Sequence, residues 1–248
     1  MNKLNYFNKV IISAMALALL VGCGKKVEPV QSSSPTENSA IEDKSTLKVN
    51  TEETKPAEIT KKELKEIKMD ADLQKRLNIF FSNFSEAYIS PFEKDKIEDS
   101  GLIKFGVMHV IINNYKLIQY KGDSNNEGYI KAEDVDTKTY YYFRKKVEKH
   151  KTVEDYTFEK GYYKIQMASG EGYTFSQIDK LYDSGNNKYK AEISIYRASS
   201  GFTGDAHGTI NDWKASGEQV PELVSKVTAI IEKINEDGKE RYILIEYI

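Results

Sequence analysis

The chain has 248 residues, of which 36 are basic and 38 acidic, for a formal charge of −2. Hydrophobic residues make up 40% and aromatic ones 11%, with 17 tyrosines, enough apolar side chain for a packed core. The balance is not that of a nucleic-acid-binding protein, which needs a clustered basic excess. The single cysteine, Cys23, excludes an internal disulfide, a CxxC redox pair and a cysteine-based zinc site.

Cys23 takes its meaning from what precedes it. Residues Met1 to Lys9 carry Lys3 and Lys9 and no acid, and an apolar run follows from Val10 to Val21. At 12 residues that run is short of the ~20 needed to span a bilayer as a helix. It has the ~7–15 residue length of a signal-peptide core. Leu20, Val21 and Gly22 then precede Cys23. This order resembles the bacterial lipobox: a branched apolar residue, a small or β-branched one, Gly or Ala, then Cys. The resemblance implies removal of residues 1–22 and a diacylglyceryl group on the Cys23 sulfur. Two acyl chains hold a protein at a membrane stably where one binds marginally. The expected location is therefore the outer face of the cell membrane, reached by a lipid anchor. Removing a signal that holds Lys3 and Lys9 and no acid takes the 36 basic residues to 34 against 38 acidic ones.

From Gly24 to about Lys68 the sequence is Ser, Thr, Glu, Lys and Pro with no aromatic residue. It has too little apolar surface to offset its ordering entropy. Residues 23–69 are expected to form a disordered tether, and residues 70–248 a single globular domain.

In that domain, Leu73, Leu77, Phe80, Phe81, Phe84 and Tyr88 recur at steps of three and four, the period of a helix. Asp70 can cap its start, and Pro91 is expected to end it. Gly101 to Ile118 reads as a second helix, apolar on most sides, and Ala132 to about His150 as a third. Beyond His150 the period becomes two. Tyr189, Ala191, Ile193 and Ile195 alternate with Lys190, Glu192 and Ser194 as in a half-buried strand. Residues 156–167 and 173–182 read as shorter strands. The segments 225–234 and 240–248 flank Asp237-Gly238, a strong hairpin signal. Helices first and an antiparallel meander after them predict an α+β domain, with the helices covering one face of a curved sheet. This succession resembles the cone-shaped fold named after nuclear transport factor two (NTF2-like). The segments LNIFFSNFSEAYI and RYILIEYI are also similar to recurrent pieces of uncharacterised lipoproteins from low-GC Gram-positive bacteria. Neither resemblance carries a catalytic motif, so no activity transfers with it.

Candidate chemistry centres on the histidines and one long loop. His109, in FGVMHVII, lies on an apolar helical face and reads as a core histidine. His150 is expected at the surface near a helix end, where a cation suits the dipole. His207 sits in the segment Ala198 to Pro221, with four glycines, Phe202, Asp205, Asp212 and the only tryptophan, Trp213. Loops of that length without structure of their own are usually functional or disordered. Three readings stand: a mobile connector, a ligand-contacting rim built on Phe202, Asp205, His207, Asp212 and Trp213, or a divalent-metal site on Asp205, His207 and Asp212. The D-x-H spacing is not specific for a metal, so none is assigned. None of these loop residues is assigned to the core. The tyrosine clusters TYYYF (139–143) and GYY (161–163) read as packing where a helix meets the sheet.

No GxGxxG, Walker loop, CxxC, GxSxG or HExxH sequence is present, and no cofactor is implied. The expected function is a membrane-anchored extracytoplasmic binding module. Its partner would be a small molecule, a cell-wall component or a protein, and not nucleic acid. The alternatives are an envelope hydrolase or isomerase with a His/Asp-based pocket, and a structural envelope-assembly lipoprotein.

Overall fold

A computed structural model describes residues 64–248, apart from positions 95, 121–125, 168–171 and 216–219. The signal segment, Cys23 and nearly all of the expected tether lie outside the described residues. Secondary structure is already present before Asp70. Residues Lys65–Glu66 (β1) pair with Asp183 and Tyr182, and the Ile67 N–H donates to the Leu181 carbonyl at 2.8 Å. Ile67 and Met69 pack on the core, so the last residues assigned to the tether belong to the domain.

The first helix, α1 (Ala71–Glu86), starts where Asp70 accepts the Leu73 N–H at 2.7 Å. It ends at Glu86, before Pro91, with Tyr88 in the left-handed region at φ 49°. Leu77, Phe81 and Phe84 are buried in the main core. A second stripe on the same helix is polar and also buried: Asn78, Ser82 and Ser85. It lies along the free edge of strand β6 (Gly172–Gly185). The Ile178 N–H donates to Asn78 Oδ1 at 2.8 Å and the Ser176 N–H to Ser82 Oγ at 3.0 Å. Thr174 Oγ1 donates to the Ser85 carbonyl at 2.6 Å. Helix side chains thus take the place of a missing neighbour strand and block the edge, which would otherwise be a template for another chain.

Helix α2 (Asp99–Asn113) is followed by a short 3-10 turn, Tyr115–Leu117. Strands β2 (Gln119–Tyr120) and β3 (Glu127–Lys131) then precede α3 (Ala132–Phe143). A Cβ on Gly106 of α2 would stand 2.6 Å from Val135 Cγ1, so only glycine allows this approach of α2 and α3. Helix α3 stops at Phe143 because Arg144 turns into the left-handed region at φ 58°. The expected continuation to His150 is instead a loop. Asp99 holds it by accepting the Glu148 and Lys149 N–H groups at 2.9 Å each, and Asp136 accepts the Val147 N–H at 3.1 Å.

Strands β4 (Thr157–Glu159) and β5 (Tyr162–Gln166) form a hairpin on Lys160-Gly161, both at positive φ. With β2 and β3 they make a four-stranded antiparallel sheet in the order β2-β3-β5-β4. The larger sheet has the order β1-β6-β7-β8-β9, with β7 Lys188–Ser199, β8 Glu222–Glu236 and β9 Lys239–Tyr247. Its hairpins turn on Asn186-Asn187 and on Asp237-Gly238, all four at positive φ. The domain is α+β with two antiparallel sheets, and strands separate α2 from α3. The expected order of all helices before all strands is therefore corrected. The five residues of β3 and the two of β2 are too few to print a period.

Candidate functional site

The loop 198–221 is where the sequence places its rim residues, and the structure turns them inward. Phe202 is 7% exposed and Trp213, on the short helix α4 (Ile210–Ala215), is 0% exposed. With Phe175 and Ala198 they form a second hydrophobic cluster. The Trp213 ring meets Phe175 edge-on at 5.1 Å and Tyr196 at 5.0 Å, and its Nε1–H donates to the Asp205 carbonyl at 2.8 Å. Both residues are core, against the expectation that the loop contributes none. Asp205 accepts from Lys75 Nζ at 2.9 Å and from the His207 N–H at 3.0 Å, and these bonds hold its carboxyl below the usual range. Asp212 accepts the Thr209 N–H and hydroxyl at 2.7 and 2.8 Å, and its carboxyl is lowered too. His207 is half-buried, and its pKa is pushed down by that burial. Asp212 is committed to its own turn, and Asp205 to its own turn and to Lys75 of α1. No group of three His, Cys, Asp or Glu side chains that could hold a metal exists among the described residues.

His150 is not a solvated helix-end residue. Its Nδ1 is 2.7 Å from the Tyr163 hydroxyl, its Nε2 is 3.5 Å from Asp136 Oδ1, and its ring stacks on Phe158 at 5.4 Å. It ties the loop after α3 to the four-stranded sheet.

An open concavity lies elsewhere, between α1, the end of α2, α3 and the β8–β9 hairpin. Its volume is about 560 Å³, inside the ~300–1,000 Å³ of small-molecule sites. Ile79 and Asn83 come from α1, His109, Asn113 and Asn114 from α2 and its cap, Thr137, Lys138 and Tyr140 to Tyr142 from α3, and Glu236 and Arg241 from the hairpin. A second chamber of about 260 Å³ shares Ile79, Asn83, Tyr141, Tyr142 and Arg241 and extends toward Arg76, Lys233 and Tyr242.

Helix geometry explains how TYYYF makes this wall. Successive residues on a helix point ~100° apart, so Thr139 and Phe143 are buried while Tyr140 and Tyr141 stay 37% and 48% exposed. Tyr142 lies between, with its ring edge-on to Phe105 at 5.2 Å and its hydroxyl 3.0 Å from His109 Nε2. Burial, helped by the nearby Lys138 charge, lowers the His109 pKa to about 4, and burial raises that of Tyr142. Both are therefore neutral at pH 7.

The charged groups of the wall are matched to one another. Arg241 donates to Glu236 through Nε at 3.2 Å and Nη2 at 2.6 Å, and through Nη1 to the Tyr141 carbonyl. Its guanidinium lies 4.5 Å from the Tyr141 ring centre, and Arg144 also binds Glu236. Arg241 first, then Arg144, hold the Glu236 carboxyl below its usual range.

Four buried side-chain polar atoms among the described residues lack a partner, and two of them, His109 Nδ1 and Asn114 Oδ1, belong to residues that line this groove. Such atoms are rare in folded proteins and call for a specific explanation. A wider concavity of about 880 Å³, with Met108 and Ile111 of α2 facing Glu154, Asp155 and Glu159, is lined by none of the four. Neither it nor the two chambers of the groove is lined by any described residue of the segment 198–221.

The chain matches no protein-family model, no curated protein and no solved structure. The functional argument therefore rests on the residues themselves. Sequence reasoning took the tyrosine run for packing. The signal it carried was the run itself: three tyrosines in a row on one helix cannot all face a core.

Proposed function

We propose that the protein is a lipid-anchored binding module on the outer face of the cell membrane, and that the tyrosine groove is its ligand site. The observation that carries the reading is the coincidence, in one concavity of about 560 Å³, of the exposed Tyr140 and Tyr141 rings with the side-chain amides of Asn83, Asn113 and Asn114. Binding is favoured over catalysis by the state of His109 and Tyr142. A general base works best with a pKa near the operating pH. An imidazole lowered to about 4 is a weak base, and a phenol raised above its ordinary value is a weak acid. The pair is suited to hydrogen bonding as neutral groups.

The anchor rests on the lipobox resemblance at Cys23. Among the described residues no helix is long and apolar enough to cross a membrane. Two helices, a short strand pair, a third helix, a short hairpin and then a meander of long strands support likening the domain to the NTF2-like cone.

Two measurements test the proposal. Cys23→Ala is expected to abolish labelling by a tagged fatty acid and to release the protein from membranes or leave it unprocessed. Equal labelling of both forms ends the anchor reading. For the site, a fragment library screened by ligand-observed NMR against the full chain should yield binders that are weakened by Tyr141→Ala. Binders indifferent to that change would place the site outside the groove.

A further inference from the structure

We propose that the ligand of the tyrosine groove is a saccharide, bound through its hydroxyl groups and by a ring face set against Tyr140 or Tyr141. The inference rests on the groove being the binding site, and follows from what its wall offers and withholds.

An anionic ligand needs cationic donors that are free to turn to it. The side chain of Arg241 is only 9% exposed and spends its Nε, Nη2 and Nη1 on Glu236 and the Tyr141 carbonyl. Lys233 of the second chamber is paired with Glu240. The other cations of the wall are Lys138 and, in the second chamber, Arg76, whose reach for an anion is tested with inorganic phosphate. A cationic ligand needs a carboxylate, and Glu236 is held by Arg241 and Arg144. A purely apolar ligand would strip water from the amides of Asn83, Asn113 and Asn114 without replacing it, at ~1–3 kcal/mol for each polar group left unpaired.

Beside Lys138, most of what remains is neutral and of both polarities. Asn83, Asn113 and Asn114 bring three side-chain amides, each with donors and an acceptor on one planar group. Thr137 adds a hydroxyl. The Asn83 amide is anchored by its Nδ2 donating to the Ile79 carbonyl at 2.7 Å. The buried His109–Tyr142 pair remains uncharged at neutral pH. Neighbouring sugar hydroxyls, each both donor and acceptor, match such amides. The C–H face of a pyranose matches an exposed aromatic ring, and Tyr140 and Tyr141 are the exposed rings of the wall. A volume of about 560 Å³, continuous through shared residues with about 260 Å³ more, has room for a short oligosaccharide rather than a single ring.

The test titrates the full chain with an N-acetylglucosamine trimer and with maltotriose, to separate amide-bearing from plain rings. An apolar dye and inorganic phosphate serve as probes of the other chemistries. Binding is read by saturation-transfer NMR and by the ring signals of the three histidines, each assigned by a single substitution. The expected result is that at least one sugar binds, shifts the His109 signal and not that of His150, and loses tenfold or more in affinity in Tyr141→Ala. Sugars that fail while the dye or phosphate binds, in a manner weakened by the same substitution, overturn the saccharide assignment and leave the groove as the site. Sugar binding unchanged by Tyr141→Ala, or no binding by any of the four probes, overturns both.

Discussion

The Phe175–Phe202–Trp213 cluster and the Tyr140–Tyr142 turn are built from the same kind of residue, yet one is closed and the other open. The closed cluster lies under a glycine-rich loop whose aromatic rings fold back on β6 and whose polar side chains bond within the loop or to α1. The open turn lies on a regular helix, which cannot rotate its exposed tyrosines inward without exposing Thr139 and Phe143. An irregular segment can adjust its backbone to hide rings, whereas a helix presents what its period dictates. Of these two aromatic groups, the one with rings available to a ligand is on the helix and not on the loop that looks most like a lid.

The largest expected effect breaks the closed side. Trp213→Ala removes the largest fully buried side chain of the molecule and leaves Phe175 uncovered. It should cost ~3–5 kcal/mol, the range for truncating a large buried aromatic residue, measured by urea unfolding. A change under ~1 kcal/mol, the level of ordinary surface substitutions, would return the loop to the status of a mobile connector. In the intact chain Trp213 emission should be blue-shifted and unmoved by any groove ligand, since Trp213 is buried and no described residue of its loop lines the groove.

Next comes the polar seam that holds the loop down. The Asn78 amide bonds the Ile178 N–H, Gln177 Oε1 and the His207 carbonyl, at 2.8, 2.8 and 3.1 Å. Asn78→Ala leaves several of these buried groups unpaired and should cost ~2–3 kcal/mol, at the upper end for such a loss. Hydrogen exchange of the Ile178 amide should accelerate along with it. An unchanged exchange rate would show that α1 does not seal the β6 edge.

The open side has its own signature, and it depends on pH. Unfolded, His109 takes a proton near its ordinary value of 6.5, and in the fold only near 4. Between these values the unfolded chain binds the additional proton, so the His109 contribution is complete above about pH 6.5 and is lost as pH falls toward about 4. A shift of that size corresponds to ~3 kcal/mol at ~1.4 kcal/mol per pH unit, and with partial solvent access ~2 kcal/mol is expected. His207 is lowered as well and acts in the same sense, while Glu86, raised by burial, acts in the opposite one. The comparison is therefore made between wild type and His109→Gln, unfolded in urea at pH 7 and pH 4.5. The variant should lose less stability on acidification, and equal losses would mean that His109 is solvated in the fold.

How much of this could be read from the sequence follows from where its periods are regular. The start of α1, the β7 alternation and the Asp237-Gly238 turn were legible because a cap, a period of two and a two-residue turn each leave a local mark. Strands β1 and β2 are two residues each and leave none. The α1 polar stripe was not legible, since nothing local in Asn78, Ser82 and Ser85 announces that β6 lies against them. The end of α3 depends on Arg144 taking a left-handed conformation that glycine would have announced and arginine does not. The groove was not legible, because it joins α1, α2, α3 and the hairpin from residues 79 to 241, and only the third dimension brings Asn83, Tyr142 and Arg241 together.

The smallest effect on stability is the sharpest test of the comparison. Tyr141 is 48% exposed, its carbonyl rather than its ring accepts from Arg241, and the ring meets only the guanidinium face and Tyr142. Tyr141→Ala should therefore change unfolding free energy by no more than ~0.5–1 kcal/mol, the range of an exposed cation–π contact and of surface substitutions generally. Were the tyrosine run there for packing, as a reading of the sequence alone suggests, truncation would cost several times that, as it does for Trp213. Measured side by side, Trp213→Ala should unfold more easily with the groove chemistry intact up to its melting, and Tyr141→Ala should melt like wild type with ligand binding gone. A Tyr141→Ala protein as unstable as Trp213→Ala would make both aromatic groups core, and the groove would lose the exposed ring on which its proposed role depends.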